Sequence, residues 1–302
     1  MSLWTAQDIA SATGGTLIGA PETVVNGISI DNRSIEADDL FVALRGPNHD
    51  AHTVAAAAVE AGASAVLVER ELGLNVAQII VSDTARALEA LGMARRAEVT
   101  GFVLGITGSV GKTGTKELAA AGFRALGKTH ATLGNLNNHF GVPLTLARMP
   151  RDTDFAVIEM GMSAPGEIRD LTRQVQPDAA LVTWISAAHS AFFKNTAQIA
   201  DAKAEIFEGL SAGAPAAIPF DNAFAGRLIG KAGNASVRTF GFGAGAEVRC
   251  RSKGMDGAQS AFIIDGYDVR LGLAGNQWGG SAAALLSVLP KGVDVDRFIQ
   301  GM

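Results

Sequence analysis

The sequence predicts an α/β protein: a small N-terminal α/β domain, residues 1–99, then a domain spanning 100–302 with a mostly parallel sheet and an antiparallel extension. Three observations carry this. The 302 residues exceed what one hydrophobic core holds comfortably. From Gly101 onward, apolar runs alternate regularly with helical patterns, as in βαβ units. After Ser236 the apolar period shortens to two, as in half-buried antiparallel strands.

In chain order, the first domain holds short apolar runs, "GISI", "LFVAL", "SAVLVE" and "AQIIVS". Between them lies the helical pattern "HTVAAAAVEAGA". The second domain opens with the strand "FVLGI" and the helix "TKELAAAGFRAL". There follow "FAVIEM" with "GEIRDLTRQV", "AALVTWI" with "TAQIADAKAEIFEGL", and "APAAIPF" with "NAFAGRLIG". The extension reads "EVRCRS", "SAFIIDG" and "YDVRLGL", and an Ala-rich helix "SAAALLSVL" comes last.

Composition narrows the function. Apolar residues make up 48% and aromatics 6%, with 36 glycines, which suits helices lying close on a sheet. No apolar run reaches the roughly 20 residues that span a bilayer, and the start lacks the basic-then-apolar order of an export signal. The lone Cys250 allows no internal disulfide, which agrees with a reducing compartment. The net charge of −5, without a dense basic patch, disfavours a nucleic-acid partner. The expectation is a monomeric cytoplasmic protein with no membrane insertion.

The stretch "GITGSVGKTGTKE" joins an apolar strand to a helix that begins near Lys112. Backbone N–H groups of such a turn, with the positive helix end behind them, bind anions. Gly108, Ser109, Val110, Gly111, Lys112, Thr113 and Gly114 are therefore expected to hold a nucleotide's phosphates. Lys112 reaches the terminal phosphates and the Thr113 hydroxyl sits on Mg²⁺. The strict pattern asks for glycine where Ile106 stands. A glycine-rich turn used only for packing is the competing reading.

Glu159 ends the strand "FAVIEM", and His189 follows "AALVTWI". In a parallel sheet the carboxyl ends of the strands share one edge, where ligands bind. Both residues are expected there, with Glu159 suited to Mg²⁺. A solvated glutamate and an ordinary loop histidine are the alternatives. In "TAQIADAKAEIFEGL", Lys203 lies within the apolar stripe of Ile199, Ile206, Phe207 and Leu210, while Asp201, Glu205 and Glu208 take the other faces. Either its stem packs while the amine reaches water, or the amine is buried with a depressed pKa. The loop "TLGNLNNHFGVPLTLARM" crowds Asn135, Asn137, Asn138 and His139 between these elements. Asn-rich loops are often only turns; the position between the phosphate loop and the Glu159 strand makes ligand contact the expectation, Asn138 toward nucleotide and Asn135 and Asn137 toward substrate. An Asp-ending strand or an N-K-x-D motif, as in kinases and GTPases, is absent.

Taken together, these residues resemble the Mur ligases, ATP-dependent amide-forming enzymes of peptidoglycan precursor assembly, over essentially the whole chain. The resemblance implies an ATP and Mg²⁺ site with Lys112, Glu159, His189 and Lys203 as catalytic residues. The same resemblance implies a metal held by Thr113, Glu159, His189 and, if carbamylated, Lys203. "GNLNNHFGVPLTLARM" and "EMGMSAPGEI" point to the members that join D-alanyl-D-alanine to UDP-N-acetylmuramoyl-tripeptide through an acyl phosphate. "DNRSIEADDLFVALRGPNHDAH" resembles the segment holding the UDP-sugar, with Asn32 and Arg33 as substrate contacts.

Two departures stand out. The family's adenine-side segment, close to G-x-H-N-x-x-N-A, reads "GNQWGGSA" here, with Gln277, Trp278 and Ser281 in place of the polar residues. Trp278 either stacks on the base or simply packs. The chain also stops at Met302, about where a third, C-terminal domain begins in the family. The further expectation is thus a form that binds UDP-sugar peptide and ATP without completing the amide.

Overall fold

The computed structural model describes residues 2–46, 49–187 and 193–302. The chain divides into two compact units, residues 1–99 with 143–151 and residues 100–142 with 152–302. The excursion of Pro143–Arg151 into the first unit departs from a single boundary near residue 99. Its cause is a set of sequence-distant bonds invisible to local pattern. Trp4 Nε1 donates to Ala147 O at 2.8 Å, and Arg148 Nε donates to Ile28 O at 2.6 Å. Arg95, fully buried, donates to Met149 O and stacks its guanidinium 4.0 Å from the Trp4 ring centroid.

The first unit is built on five strands in the order Thr16–Ile18, Ala77–Ile80, Ala65–Val68, Asp39–Val42 and Gly27–Ser29. All pair in parallel except the edge strand Thr16–Ile18. Phe41, Val66 and Val68 pack against Ala51, Ala55 and Ala58, whose small side chains let backbone approach the sheet. The expected "HTVAAAAVEAGA" helix is shorter, a 3₁₀ turn Ala51–Val54 leading into Ala55–Glu60. Asp50 sets that start by accepting the His52 backbone N–H at 3.0 Å.

Among the described residues the second unit carries a nine-stranded sheet. Its strand order is Thr129–Ala131, Phe155–Glu159, Phe102–Thr107, Ala179–Val182, Pro215–Pro219, Ser236–Gly241, Val248–Asp256, Gln259–Ile264 and Tyr267–Leu271. Pairing is parallel from Thr129–Ala131 to the start of Val248–Asp256, then antiparallel through the last two strands. Central strands read as unbroken apolar runs because helices cover both faces. Phe102–Thr107 is followed in sequence by elements on both its sides, which makes its carboxyl end a topological switch point.

The helix Lys112–Arg124 lies over this core through Leu118, Ala119 and Phe123. Phe123 stacks on Phe155 at 4.7 Å and meets Phe298 edge-on at 5.0 Å between centroids. Phe298, on the last helix Val295–Gly301, lies so close over Gly122 that a Cβ there would sit 2.6 Å from its ring. Cys250 is buried in the same core, and burial pushes its thiol pKa up to about 12, so it behaves as a small apolar residue.

Candidate functional site

Thr107 ends the central strand, and the loop that follows enters the helix at Lys112. Gly111 has φ 84°, a conformation that only glycine adopts without strain. Gly108 is required for space, since a Cβ would overlap Thr183 Oγ1. Thr183 braces the loop by donating Oγ1 to Val110 O at 2.6 Å. Ser109 completes the brace: its N–H donates to Trp184 O at 2.7 Å and its hydroxyl to Ser186 O at 3.0 Å. Thr183 and Ser186 carry no motif of their own; their position just past the strand Ala179–Val182 was the available signal.

Lys112 folds back over the loop and donates Nζ to Gly108 O at 3.0 Å. Burial lowers its pKa, and the carboxylate of Glu159 pulls it the other way. Thr113 is exposed at the first turn of the helix.

Glu159 is fully buried at the end of its strand, where Ile106 is its registered neighbour. Its backbone N–H donates to Thr132 Oγ1 at 3.0 Å. Asn137 Nδ2 donates to Oε1 at 2.7 Å, while Oε2 has no hydrogen-bond partner among the described residues. A buried carboxylate oxygen without a donor is costly unless something cationic meets it. This oxygen fits Mg²⁺, a hard cation usually held by one or two carboxylates plus substrate phosphates. Among the described residues no group of three or more His, Cys, Asp or Glu converges.

Lys203 is 1% exposed on the helix Thr196–Ala204. Burial lowers its pKa to about 7, and the neighbouring positive charge of Lys112 adds to the shift. A large fraction of this amine is therefore neutral near pH 7. Between the two readings of this lysine, the structure has the amine inside.

A polar cavity of about 370 Å³ opens beside Lys112 and is lined by Asn135, Asn137, Asn138, His139, Ser163 and Glu167. Two of its asparagines already carry structural work. Asn137 holds Glu159, and Asn138 Oδ1 accepts from the N–H groups of Phe140 and Gly141 at 3.1 and 2.9 Å, capping the helix Gly141–Ala147. The latter use was not expected for a nucleotide contact; the side-chain amide of Asn138 is what remains for a ligand.

On the other side of the loop lies an apolar cavity of about 550 Å³, which shares Val110, Gly111 and Gly114 with it. Trp184, Phe240, Phe242 and Trp278 supply its aromatic walls. Its hydroxyls and amide are already engaged: Ser281 Oγ pairs with Thr115 Oγ1 at 2.9 Å, and Gln277 Nε2 donates to Ala274 O at 3.3 Å. Trp278 both packs and lines, with its ring edge against Gly114 and its body at the cavity wall.

Lys112, Glu159, Lys203, Asn135, Asn137 and Asn138 thus all belong to the second unit, around the loop's sheet edge. Asn32 and Arg33 belong to the first, in a 3₁₀ turn Asn32–Ser34. There Arg33 forks onto Asp31, Nη2 to Oδ2 at 2.6 Å, and this hydrogen bonding lowers the Asp31 pKa to about 2. His189 lies outside the described residues.

With this geometry in hand, comparison with known proteins is informative. Residues 106–285 match the Mur ligase middle domain, and residues 24–100 match the Mur ligase family, catalytic domain. The UDP-N-acetylmuramoyl-tripeptide--D-alanyl-D-alanine ligase of Bacillus subtilis is 43% identical over 211 residues, covering 68% of this chain and 46% of that protein. Its Escherichia coli counterpart is 41% identical, covering 72% and 48% respectively. The chain spans about half the length of these relatives. A crystal structure of MurF from Acinetobacter baumannii superposes with a TM-score of 0.87 at 32% identity, over 99% of this chain and 67% of that one. A Thermotoga maritima MurF ligase solved in complex with ADP gives 0.74 at 25% identity, over 90% and 65%.

Proposed function

The chain belongs to the Mur ligase family, and from that premise we propose that it serves ATP-dependent ligation of D-alanyl-D-alanine to UDP-N-acetylmuramoyl-tripeptide in the cytoplasm. The observation that carries this reading is Glu159, whose buried Oε2 has no hydrogen-bond partner among the described residues, beside the phosphate loop at a topological switch point.

In this reading the loop from Gly108 to Gly114 holds the β- and γ-phosphates on its backbone N–H groups. Lys112 leaves Gly108 O and donates to the γ-phosphoryl group as it transfers to the substrate carboxylate, giving an acyl phosphate. The dipeptide amine then attacks the acyl carbon, and inorganic phosphate leaves with the C–O bond electrons. Transfer of this kind depends on positioning and charge stabilisation rather than on covalent help from the protein. Mg²⁺, held by Glu159 Oε2 and the Thr113 hydroxyl, would neutralise phosphate oxygens when bound.

Lys203 joins this site through its neutral amine. Such an amine adds to CO₂ and loses a proton, leaving a carbamate that puts an anionic oxygen donor where a neutral nitrogen stood. Asn135 and the amide of Asn138 contact ligand in the polar cavity, and the apolar cavity takes the nucleobase between aromatic walls. Asn32 and Arg33 in the first unit contact the UDP-sugar.

Phosphate release from ATP tests the reading, with UDP-tripeptide and D-alanyl-D-alanine supplied together and each omitted in turn. Release that needs both supports ligation. Nucleotide binding without dipeptide-dependent release overturns ligation by this chain and leaves it a binding module.

A further inference from the structure

Lys116 of "GKTGTKE" carries a charge, yet it is 0% exposed, on the helix face it shares with Ala119, Ala120 and Phe123. Its Nζ donates to Thr132 O at 2.8 Å and Gly134 O at 3.1 Å, and pairs with Glu117 Oε1 at 2.7 Å. Those three partners satisfy all three ammonium donors. A buried cation so held resists displacement, because any shift strands a charge away from water.

Thr132 is where this anchor meets the site. While its carbonyl accepts from Lys116, its hydroxyl accepts the Glu159 backbone N–H at 3.0 Å, and its own N–H donates to Val157 O at 3.0 Å. Farther along the same loop, Asn137 Nδ2 grips Glu159 Oε1 at 2.7 Å. Glu159 is therefore held at its backbone and at one carboxylate oxygen by one loop, and Lys116 pins the start of that loop. Lys116 lies one helical turn beyond Lys112 on the helix Lys112–Arg124, so the element that begins at the phosphate loop also carries the carboxylate's anchor.

We propose that Lys116 is a positioning residue which, through the loop from Thr132 to Asn137, aims Glu159 Oε2 at the phosphate loop and sets how strongly a divalent cation tightens nucleotide binding. The role rests on the nucleotide and Mg²⁺ reading of the site above. Nothing in it needs Lys116 to touch nucleotide or metal. Its charge acts at the far end of a hydrogen-bonded chain.

The test measures binding of a fluorescent ATP analogue to the 302-residue chain in EDTA and in Mg²⁺. The variants are Lys116→Met, Thr132→Val and Thr132→Ser. In EDTA all three are expected to bind within about twofold of the parent, because the phosphate loop itself is untouched. In Mg²⁺ the parent tightens, Thr132→Ser tightens equally, and the other two lose about tenfold or more of that gain, as for removal of other groups that orient a metal ligand. Thr132→Val keeps the test alive should Lys116→Met fail to fold, since it preserves shape and removes only the hydroxyl. Parent-like Mg²⁺ dependence in Lys116→Met or Thr132→Val overturns the proposal while leaving the nucleotide reading intact. An equal loss in EDTA overturns it too, by assigning Lys116 to the loop's general integrity. A parent that binds without any Mg²⁺ effect overturns both this role and the metal reading beneath it.

Discussion

The edge of the Trp278 ring rests on Gly114, so closely that a Cβ on Gly114 would sit 2.8 Å from two ring carbons. This contact, beside the Thr115–Ser281 hydroxyl pair, docks the helix Asn276–Leu286 onto the helix that follows the phosphate loop. Two effects compete in Gly114→Ala. Helix propensity favours alanine by roughly 1 kcal/mol, whereas forcing an indole outward costs about 1–3 kcal/mol. Overpacking is expected to win. Differential scanning calorimetry should show a lower melting temperature, and Gly114→Ala combined with Trp278→Phe should recover part of it. A melting temperature raised by Gly114→Ala alone would show the ring yields freely.

Lys203 predicts a pH dependence of stability. Its pKa is about 7 in the folded chain against the ordinary lysine value of 10.5. Between those values the unfolded chain binds the proton and the native chain does not, so stability rises with pH across that window. Below about pH 7 both states are protonated and the burial penalty is carried in full. Lys203→Met should therefore be more stable than the parent at pH 6, by about 1–4 kcal/mol, with the gap closing toward pH 10. Urea denaturation at pH 6, 8 and 10 measures it; a gap independent of pH argues that the amine is not titrating in this window. Added bicarbonate should narrow the gap as well, if intact mass shows gain of one CO₂.

Lys112→Met separates function from stability. Among the described residues the lysine donates to Gly108 O, and burial works against its charge. Its removal should leave the melting temperature unchanged or slightly higher. Nucleotide affinity should fall by about tenfold to a hundredfold, as for loss of a hydrogen bond to a charged group. Isothermal titration checks this, and Lys112→Arg is not expected to rescue, because a planar fork does not replace a point charge in this loop. Unchanged affinity would remove Lys112 from the phosphate site.

Thr183 tests whether the loop is held in shape from outside. Thr183→Val deletes the hydroxyl that donates to Val110 O at 2.6 Å, and Thr183→Ser retains it. Valine should weaken nucleotide binding several-fold and raise backbone amide exchange at Ser109 and Val110, with serine close to the parent. Equal behaviour of the two variants would mean that the loop keeps its shape through Gly111 and the Ser109 bonds alone.

Much of the site could be read along the chain because it rests on local pattern. "FVLGI" followed by "TGSVGKT" is a strand, a turn and a helix start in one continuous stretch, and Glu159 closes a strand whose apolar run is plain. Lys116 was not legible from its charge, which suggests a solvated side chain, although Ala119, Ala120 and Phe123 at i+3, i+4 and i+7 put it on the helix's apolar face. It is buried because the carbonyls of Thr132 and Gly134, contributed by a loop after the next strand, meet it there. Asn138 likewise read as a ligand contact, and the chain uses its side-chain oxygen as a helix cap.

By itself, then, the sequence determined the α/β alternation, the phosphate loop and the strand ends that share its edge. Backbone propensity and hydrophobic period act over a few residues and are written continuously in the chain. Only the tertiary structure decided which polar atoms find partners. The free Oε2 of Glu159, the buried amines of Lys116 and Lys203, and the seat of Trp278 on Gly114 all depend on residues brought together across tens of positions. Desolvation and hydrogen-bond satisfaction are properties of that assembled neighbourhood, which no local period encodes.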